Sequence, residues 1–476
     1  MRSVILVPLV TVALLATVNA PFVARNAAAT ATTWVKTYGG LESAMSKGVE
    51  STADGGYVVL GQTSPADQNW DIWILKLDAS GAVEWQYLYG GSGRDLAYTI
   101  RQISDGGYIV AAGTYSFGPG GPTSAGPSSL NAWILKLDAF GGVMWQNVYG
   151  GDGNDVLVDI RQISDGGYIA AGYSTSHRPG VAYEDAVEAW VVKLNSAGNL
   201  VWQKAYGSGN PYECASSIQQ TSDGGYIVAG SVTLWPPGGA GVPSLWLFKL
   251  TSTGTLSWQK TYGAGNGGLF CKESGEGPQV LITPDGGFLM TLIYRYGPEQ
   301  DDGWVLKVDS TGRALWRKSY GRPDGTGGVG REHFLSVDAT TDGYILAGHL
   351  SDGTQYVPWV IRLSSDGTVQ LQKTYALSTG STGASGNSIV HQTSDGGFIL
   401  VGSWSGNLIV YKLGDDCNAG GCSDPGIGAD SSVTVKSSTA KASGYKGKAV
   451  APSTSVTITG ATPVATEAYV GTVCTG

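Results

Sequence analysis

The chain has 476 residues, a formal charge of -9, only 14% charged residues, 73 glycines and 15 tryptophans. Length admits two or three ordinary domains or one large repeat domain, and both Gly and Trp exceed ordinary usage. No Lys/Arg run or basic patch is present, which excludes nucleic acid as a partner class, and the acidic balance suits an extracellular protein.

Met1-Arg2-Ser3 is followed by an apolar run from Val4 to Val18 and then by small residues. One positive charge before a short apolar core predicts a secretory signal peptide over residues 1–31, cut between Ala20 and Ala31. The run is short for a spanning helix, and nothing later reads as a membrane span, so the mature chain is expected to be exported without one.

The next element is a predicted strand, Thr33 to Gly40, with the sequence Thr-Trp-Val-Lys-Thr-Tyr-Gly-Gly. A repeat then begins. Asp-Gly-Gly-Tyr stands at Asp54, Asp105, Asp165 and Asp223, Asp-Gly-Gly-Phe at Asp285 and Asp395, and a shortened Asp-Gly-Tyr at Asp342. Steps of 51, 60, 58, 62, 57 and 53 residues between these motifs mark a repeat architecture. Each unit reads as four short strands rich in β-branched and aromatic residues. In the second unit they are Tyr98–Ser104, Tyr108–Gly113, Trp133–Asp138 and Val143–Tyr149. Asp-Gly between the first two is a hairpin signal, because Gly accepts positive φ without penalty. A second tight turn, such as Asp78-Ala-Ser-Gly81, joins the third and fourth.

Seven units of four antiparallel strands predict an all-β chain folded as a seven-bladed β-propeller over residues 32–414. The ends support a closed ring. The seventh unit reaches its third strand, Leu408 to Leu413, and has no Trp-Gln-Lys-Thr-Tyr strand after it. Thr33–Gly40 matches that missing strand, so the N-terminal strand is expected to complete the last blade and remove the open edges of the ring. Twelve of the fifteen tryptophans occupy two repeat columns. Trp73, Trp133, Trp190, Trp246, Trp304 and Trp359 open third strands; Trp34, Trp85, Trp145, Trp202, Trp258 and Trp316 lie in fourth strands. Such repetition points to packing between blades.

Asp309-Ser-Thr-Gly-Arg-Ala-Leu-Trp316 has the form Asp-x-Thr-Gly-x-x-x-Trp, and Asp78 to Trp85 and Asp138 to Trp145 keep its skeleton. This resembles the tryptophan-docking repeat of quinoprotein-type propellers. The whole unit, with Asp-Gly-Gly-Tyr and Tyr-Gly-Gly, is more similar to secreted propeller repeats of bacterial and archaeal surface proteins, over residues 32–414. The quinoprotein resemblance would imply a quinone, Ca²⁺, a catalytic Asp and a disulfide between adjacent cysteines. No two cysteines are adjacent here, so that resemblance is one of scaffold.

Departures from the repeat are where function is expected. They gather in the second-to-third loops, all on one face. Trp70, Trp235 and Trp404, the tryptophans outside the two columns, fall in these loops and are candidate stacking residues for a sugar or protein. Ten residues before the Asp-Gly motif, Asp95, Asp155, Glu213 and Glu332 form a candidate carboxylate cluster, which could bind Ca²⁺ or instead fix the crossovers between blades. No catalytic set and no cofactor is assigned. Cys214 and Cys271 occupy corresponding loops of neighbouring units, which suggests a disulfide across blades. Residues 415–476 are rich in Ser, Thr, Ala and Gly and carry Cys417, Cys422 and Cys474. A partly ordered tail tied back by one disulfide is expected there.

The functional expectation is a secreted, non-catalytic module binding glycan or protein at the cell surface. Two other classes stay open: an extracellular enzyme, quinone-dependent or glycan-cleaving, and a structural surface-layer or filament component.

Overall fold

A computed structural model describes residues 32–39, 43–64, 70–117, 129–176, 187–207, 212–234, 241–263, 277–297, 300–321, 331–351, 356–375 and 388–419, with strand segments between 427 and 475. Every regular element among them is a β-strand. The chain is a seven-bladed β-propeller of four-stranded antiparallel blades, and each blade is extended by one further outer strand. Blade 2 shows the plan. Asp95–Gln102 pairs with Tyr108–Thr114, which pairs with Asn131–Leu137, which pairs with Val143–Tyr149. Blades 5 and 6 are additionally joined by one parallel bridge, Asp301 to Arg331.

The Asp-Gly-Gly turns are hairpins with a clasp. Gly224 adopts φ +77°, a conformation costly for any residue with a Cβ, and Gly224 N–H donates to the Thr221 carbonyl. Asp223 Oδ1 accepts the Gly225 N–H at 3.0 Å, and its carboxylate meets Lys249 of the third strand at 2.8 Å. The same pair recurs in all seven blades, as Lys76–Asp54, Lys136–Asp105, Lys193–Asp165, Lys307–Asp285, Arg362–Asp342 and Lys412–Asp395. The Lys249 hydrogen bond and then that of Thr221 hold Asp223 down to about 2, against some effect of burial. A depressed acid stabilises the fold above its unfolded value near 3.8 and loses that contribution as pH falls toward 2. Asp223 is largely exposed, so the clasp is worth on the order of 1 kcal/mol or less. The expected result is that Lys249→Met lowers the melting temperature at pH 7, and that its difference from the parent shrinks between pH 4 and pH 2.

Neighbouring blades are joined by a second repeated device. The third-strand tryptophans Trp73, Trp133, Trp190, Trp246 and Trp359 are fully buried and Trp304 nearly so, in clusters that span two blades. The fourth-strand tryptophans are mostly half-buried and lie over the next blade's third-to-fourth turn. A Cβ at Gly254 would stand 2.9 Å from the Trp202 ring, so that turn needs glycine for space as well as for its φ of +72°. Four residues after each docking position, a tyrosine hydroxyl donates to the carbonyl of that turn's glycine. The pairs include Tyr38–Gly81, Tyr89–Gly141, Tyr206–Gly254, Tyr262–Gly312 and Tyr320–Gly367, at 2.6–2.7 Å. Tyr206→Phe strands a buried carbonyl and should cost about 1–2 kcal/mol in urea unfolding.

The sixth-to-seventh contact departs from this pattern in a compensated way. Blade 6 has Leu371 where the others carry the docking tryptophan, and blade 7 has Cys417 where the others have glycine. Cys417 takes φ +56°, and its carbonyl accepts the Tyr375 hydroxyl at 2.7 Å. The smaller Leu371 leaves room for a Cβ. Cys417 is a free thiol, and burial pushes it up to about 12, so it is inert at neutral pH.

Ring closure follows the expectation. Trp34–Gly39 pairs with Asn407–Leu413 as the fourth strand of blade 7, from Trp34 opposite Lys412 to Tyr38 opposite Leu408. The tail adds what its composition does not signal. Its strands Ile427–Asp430, Thr434–Ser437, Ala442–Ser443, Lys448–Val450, Val456–Thr457, Val464–Ala465 and Tyr469–Thr475 pair, in that order, with the outer strands of blades 6, 5, 4, 3, 2, 1 and 7. Every outer edge therefore receives backbone partners, the usual remedy for an exposed edge.

Candidate functional site in the central channel

The first strand of every blade lines the axis of the ring. Residues of all seven contribute to a cavity of about 120 Å³, among them Lys47, Arg101, Arg161, Gln219, Leu281, Asp338 and His391. Five of these strands carry a β-bulge at the same repeat position, between Ser46 and Gly48, Ala97 and Thr99, Leu157 and Asp159, Ala215 and Ser217, and Phe334 and Ser336. A bulge re-aims the strand's side chains. The bulged residues Lys47, Tyr98, Val158, Ser216 and Leu335 all reach the cavity wall.

One repeat column decides the chemistry of this channel. Four residues before the turn aspartate stand Glu50, Arg101, Arg161, Gln219, Leu281, Asp338 and His391. Where this residue is an acceptor, it takes a backbone N–H of the next blade's first strand. Glu50 Oε2 accepts from Gln102 at 2.8 Å, Gln219 Oε1 from Ile282 at 3.2 Å and Asp338 Oδ2 from Gln392 at 3.2 Å. An arginine has no lone pair for that purpose. In blades 2 and 3 the column therefore breaks its own structural rule and puts two guanidinium groups on adjacent strands facing the cavity.

Asp159 sits between them. Its Oδ2 accepts the Ile218 N–H at 2.9 Å and the Ser217 hydroxyl at 3.3 Å. The guanidinium groups are farther off, Arg161 Nε at 3.6 Å from Oδ2 and Arg101 Nη2 at 4.0 Å from Oδ1. The Nε atoms of both arginines and Asp159 Oδ1 are buried without a hydrogen bond among the described residues. Each such group costs about 1–3 kcal/mol. Burial, opposed by Asp159 and reinforced by the charge of Arg101, pushes Arg161 below its ordinary value. The side chains keep 19% and 29% of their exposure, so the cavity can reach them. Blades 6 and 7 supply the opposite character. His391 Nδ1 lies 3.2 Å from Asp338 Oδ2. Burial would raise Asp338, but the His391 contact together with the Gln392 and Ala339 N–H groups outweighs it and holds the carboxyl below the usual range.

The described residues among those singled out from sequence lie elsewhere. Trp70 is half-buried at the entrance of a third strand, and its carbonyl accepts the Asp95 N–H at 2.6 Å. Leu130 and Val187 hold the same place in the next two blades, accepting from Asp155 and Glu213. Trp404 is half-buried and packs against the core of blades 6 and 7. Blades 7 and 1 are neighbours, so Trp404 and Trp70 share one face on adjacent blades. Trp235 lies outside the described residues.

Asp95, Asp155, Glu213 and Glu332 are all buried, each at the start of a different first strand. Asp95 accepts the Gly91 N–H at 2.8 Å and the Ser116 hydroxyl at 2.7 Å, and burial raises it to about 6. Asp155 accepts the Gly151 N–H at 2.7 Å and the Ser176 hydroxyl at 2.6 Å. Among the described residues no three His, Cys, Asp or Glu side chains gather as a cation site. Cys214 is buried, with its Sγ 3.1 Å from Ser231 Oγ, and Cys271 lies outside the described residues. The channel column was not singled out from sequence. Aligning the units on their aspartates exposes it as a column that changes sign from blade to blade.

No protein-family model matches the chain. No curated protein matches it either. Among solved structures it is similar to an exotype rhamnogalacturonan lyase, YesX, with 13% identity and a TM-score of 0.33 over 79% of this chain and 72% of that one. It is also similar to the tail fiber of Staphylococcus aureus phage P68, with 11% identity and a TM-score of 0.22 over 79% of this chain and 88% of that one. Similarity this distant carries no functional argument, and the propeller assignment rests on the strand pairing described above.

Proposed function

We propose that the protein is a secreted, non-catalytic propeller that binds a glycan or protein at the cell surface, through the channel and the face bearing its second-to-third loops. One observation carries this reading. In a repeat whose inner strands otherwise commit polar side chains to the neighbouring blade, Arg101 and Arg161 present charge to a cavity, and the Nε of each makes no hydrogen bond among the described residues. Rule-breaking positions of this kind are where function is expected. Trp70 and Trp404, half-buried on adjacent blades, and Trp235 of the same loop class would give stacking contacts on the second-to-third-loop face, at the other end of the first strands from the arginines. Replacing all three by Ala should weaken binding to cell-wall glycans or co-secreted proteins at least tenfold. Unchanged binding would show that this face is not the contact.

A disulfide between Cys214 and Cys271 is part of the proposal. It is supported by the burial of Cys214. A second reading has its own observation. An imidazole held by a carboxylate, as His391 is by Asp338, is the arrangement of a general base. Release of new sugar ends from a glycan, lost in His391→Ala, would favour a glycan-cleaving enzyme over a binding module.

A further inference from the structure

We infer that Arg101 and Arg161 form a binding site for the carboxylate of a terminal uronic acid, which makes the ligand of the proposed module an acidic glycan recognised by its end. The inference rests on that binding reading and deepens it.

The charge count selects a monoanion. Two guanidinium groups and Asp159 leave one excess positive charge on the blade 2 and blade 3 wall, and Lys47 and Asp338, also in the lining, offset each other. Asp159 cannot turn to either arginine without giving up the Ile218 N–H and the Ser217 hydroxyl. Its separations of 3.6 and 4.0 Å are too long for hydrogen bonds, so both guanidinium groups keep donors for an incoming oxygen pair. A planar carboxylate matches that fork. A dianionic phosphate ester would overshoot the available charge and face Asp338 and Glu50, whose fields already reach Arg161.

Size and net charge select an end group on a sugar. A cavity of about 120 Å³ holds a carboxylate and the carbons next to it, not a length of polymer. The chain carries 38 acidic against 29 basic residues and has no basic run to hold a polyanion. An extended acidic peptide would meet that repulsion along its whole length. An isolated carboxylate at the end of a hydroxyl-rich chain meets it once.

The test is calorimetric titration of the full chain, at low salt, with glucuronic acid, glucose and glucose 6-sulfate, and with a Glu-rich peptide. Glucuronic acid is expected to bind at least ten times more tightly than glucose, and to weaken as salt is added. Arg101→Gln and Arg161→Gln should each lose at least tenfold, and Arg161→Lys should retain part of the affinity. Circular dichroism and melting temperature confirm that each variant is folded, and the Lys variant keeps the test valid should a Gln variant fail. Equal binding of glucuronic acid and glucose overturns the inference. So does unchanged binding in folded Gln variants, or tighter binding of the sulfate ester or the peptide. Failure here is separable from failure of the binding reading. If the triple tryptophan variant still loses cell-wall glycan binding while glucuronic acid is ignored, the module stands and its carboxylate site falls.

Discussion

Val35→Asp is expected to destabilise the protein by about 3–5 kcal/mol, among the largest effects available to a single substitution. Val35 is fully buried in the strand that closes the ring, opposite Tyr411 on one side and Cys474 on the other. A carboxylate there enters an apolar cluster containing Ile345, Val360, Leu400 and Tyr411. It must be desolvated or the strand must detach. Val35→Ala removes volume without adding charge and should cost roughly half as much. Urea unfolding distinguishes the two possible responses. A shifted midpoint with an unchanged slope means the ring is weakened as a unit, and a shallower slope means blade 7 opens first. In the second case a peptide covering residues 33–40 should restore part of the lost stability, because an added strand can occupy the vacated ladder. A cost under 1 kcal/mol would mean that the seam is not a structural necessity.

Trp246→Ala is the second large effect, at about 3–5 kcal/mol. The Trp246 ring is fully buried between blades 3 and 4 with Ile169, Tyr206 and Val228, and its centroid lies 4.3 Å from that of Phe248. The substitution also removes the Nε1 hydrogen bond to Gln259 at 3.1 Å. Trp202→Ala is the internal comparison. That ring is half-buried over the Gly254 turn and should cost about 1–2 kcal/mol. Equal costs would contradict the division between core tryptophans and docking tryptophans. Neither substitution touches the channel, so uronic acid binding by the folded variants should be unchanged.

Legibility in the sequence tracks how local the determining physics is. The Asp-Gly-Gly hairpins, the number of blades and the displaced strand at Thr33–Gly40 were legible because turn chemistry and strand patterning act within about ten residues. The burial of the third-strand tryptophans was legible for the same reason. The clasp from Lys249 to Asp223 could have been read, since a Lys or Arg recurs at that place in every third strand. The Arg101–Asp159–Arg161 set was harder. Its meaning depends on which neighbours accept backbone N–H groups across blades, and on bulges that a strand pattern does not announce. Most of the tail strands were illegible for a different reason. Segments of two to seven residues have almost no pattern of their own, and their conformation is set by edges far away in sequence, as Val464 opposite Leu88 shows.

That outer circuit changes how the ring would respond to strain. Its strands meet the blades in the order 6, 5, 4, 3, 2, 1 and 7, against the direction in which the blades themselves follow one another. The circuit acts as a hoop. Parting any two blades lengthens the perimeter that the same segment has to span, so an opening at one interface is resisted by ladders on several others. Any breathing of the channel around Arg101 and Arg161 then becomes a property of the whole circumference.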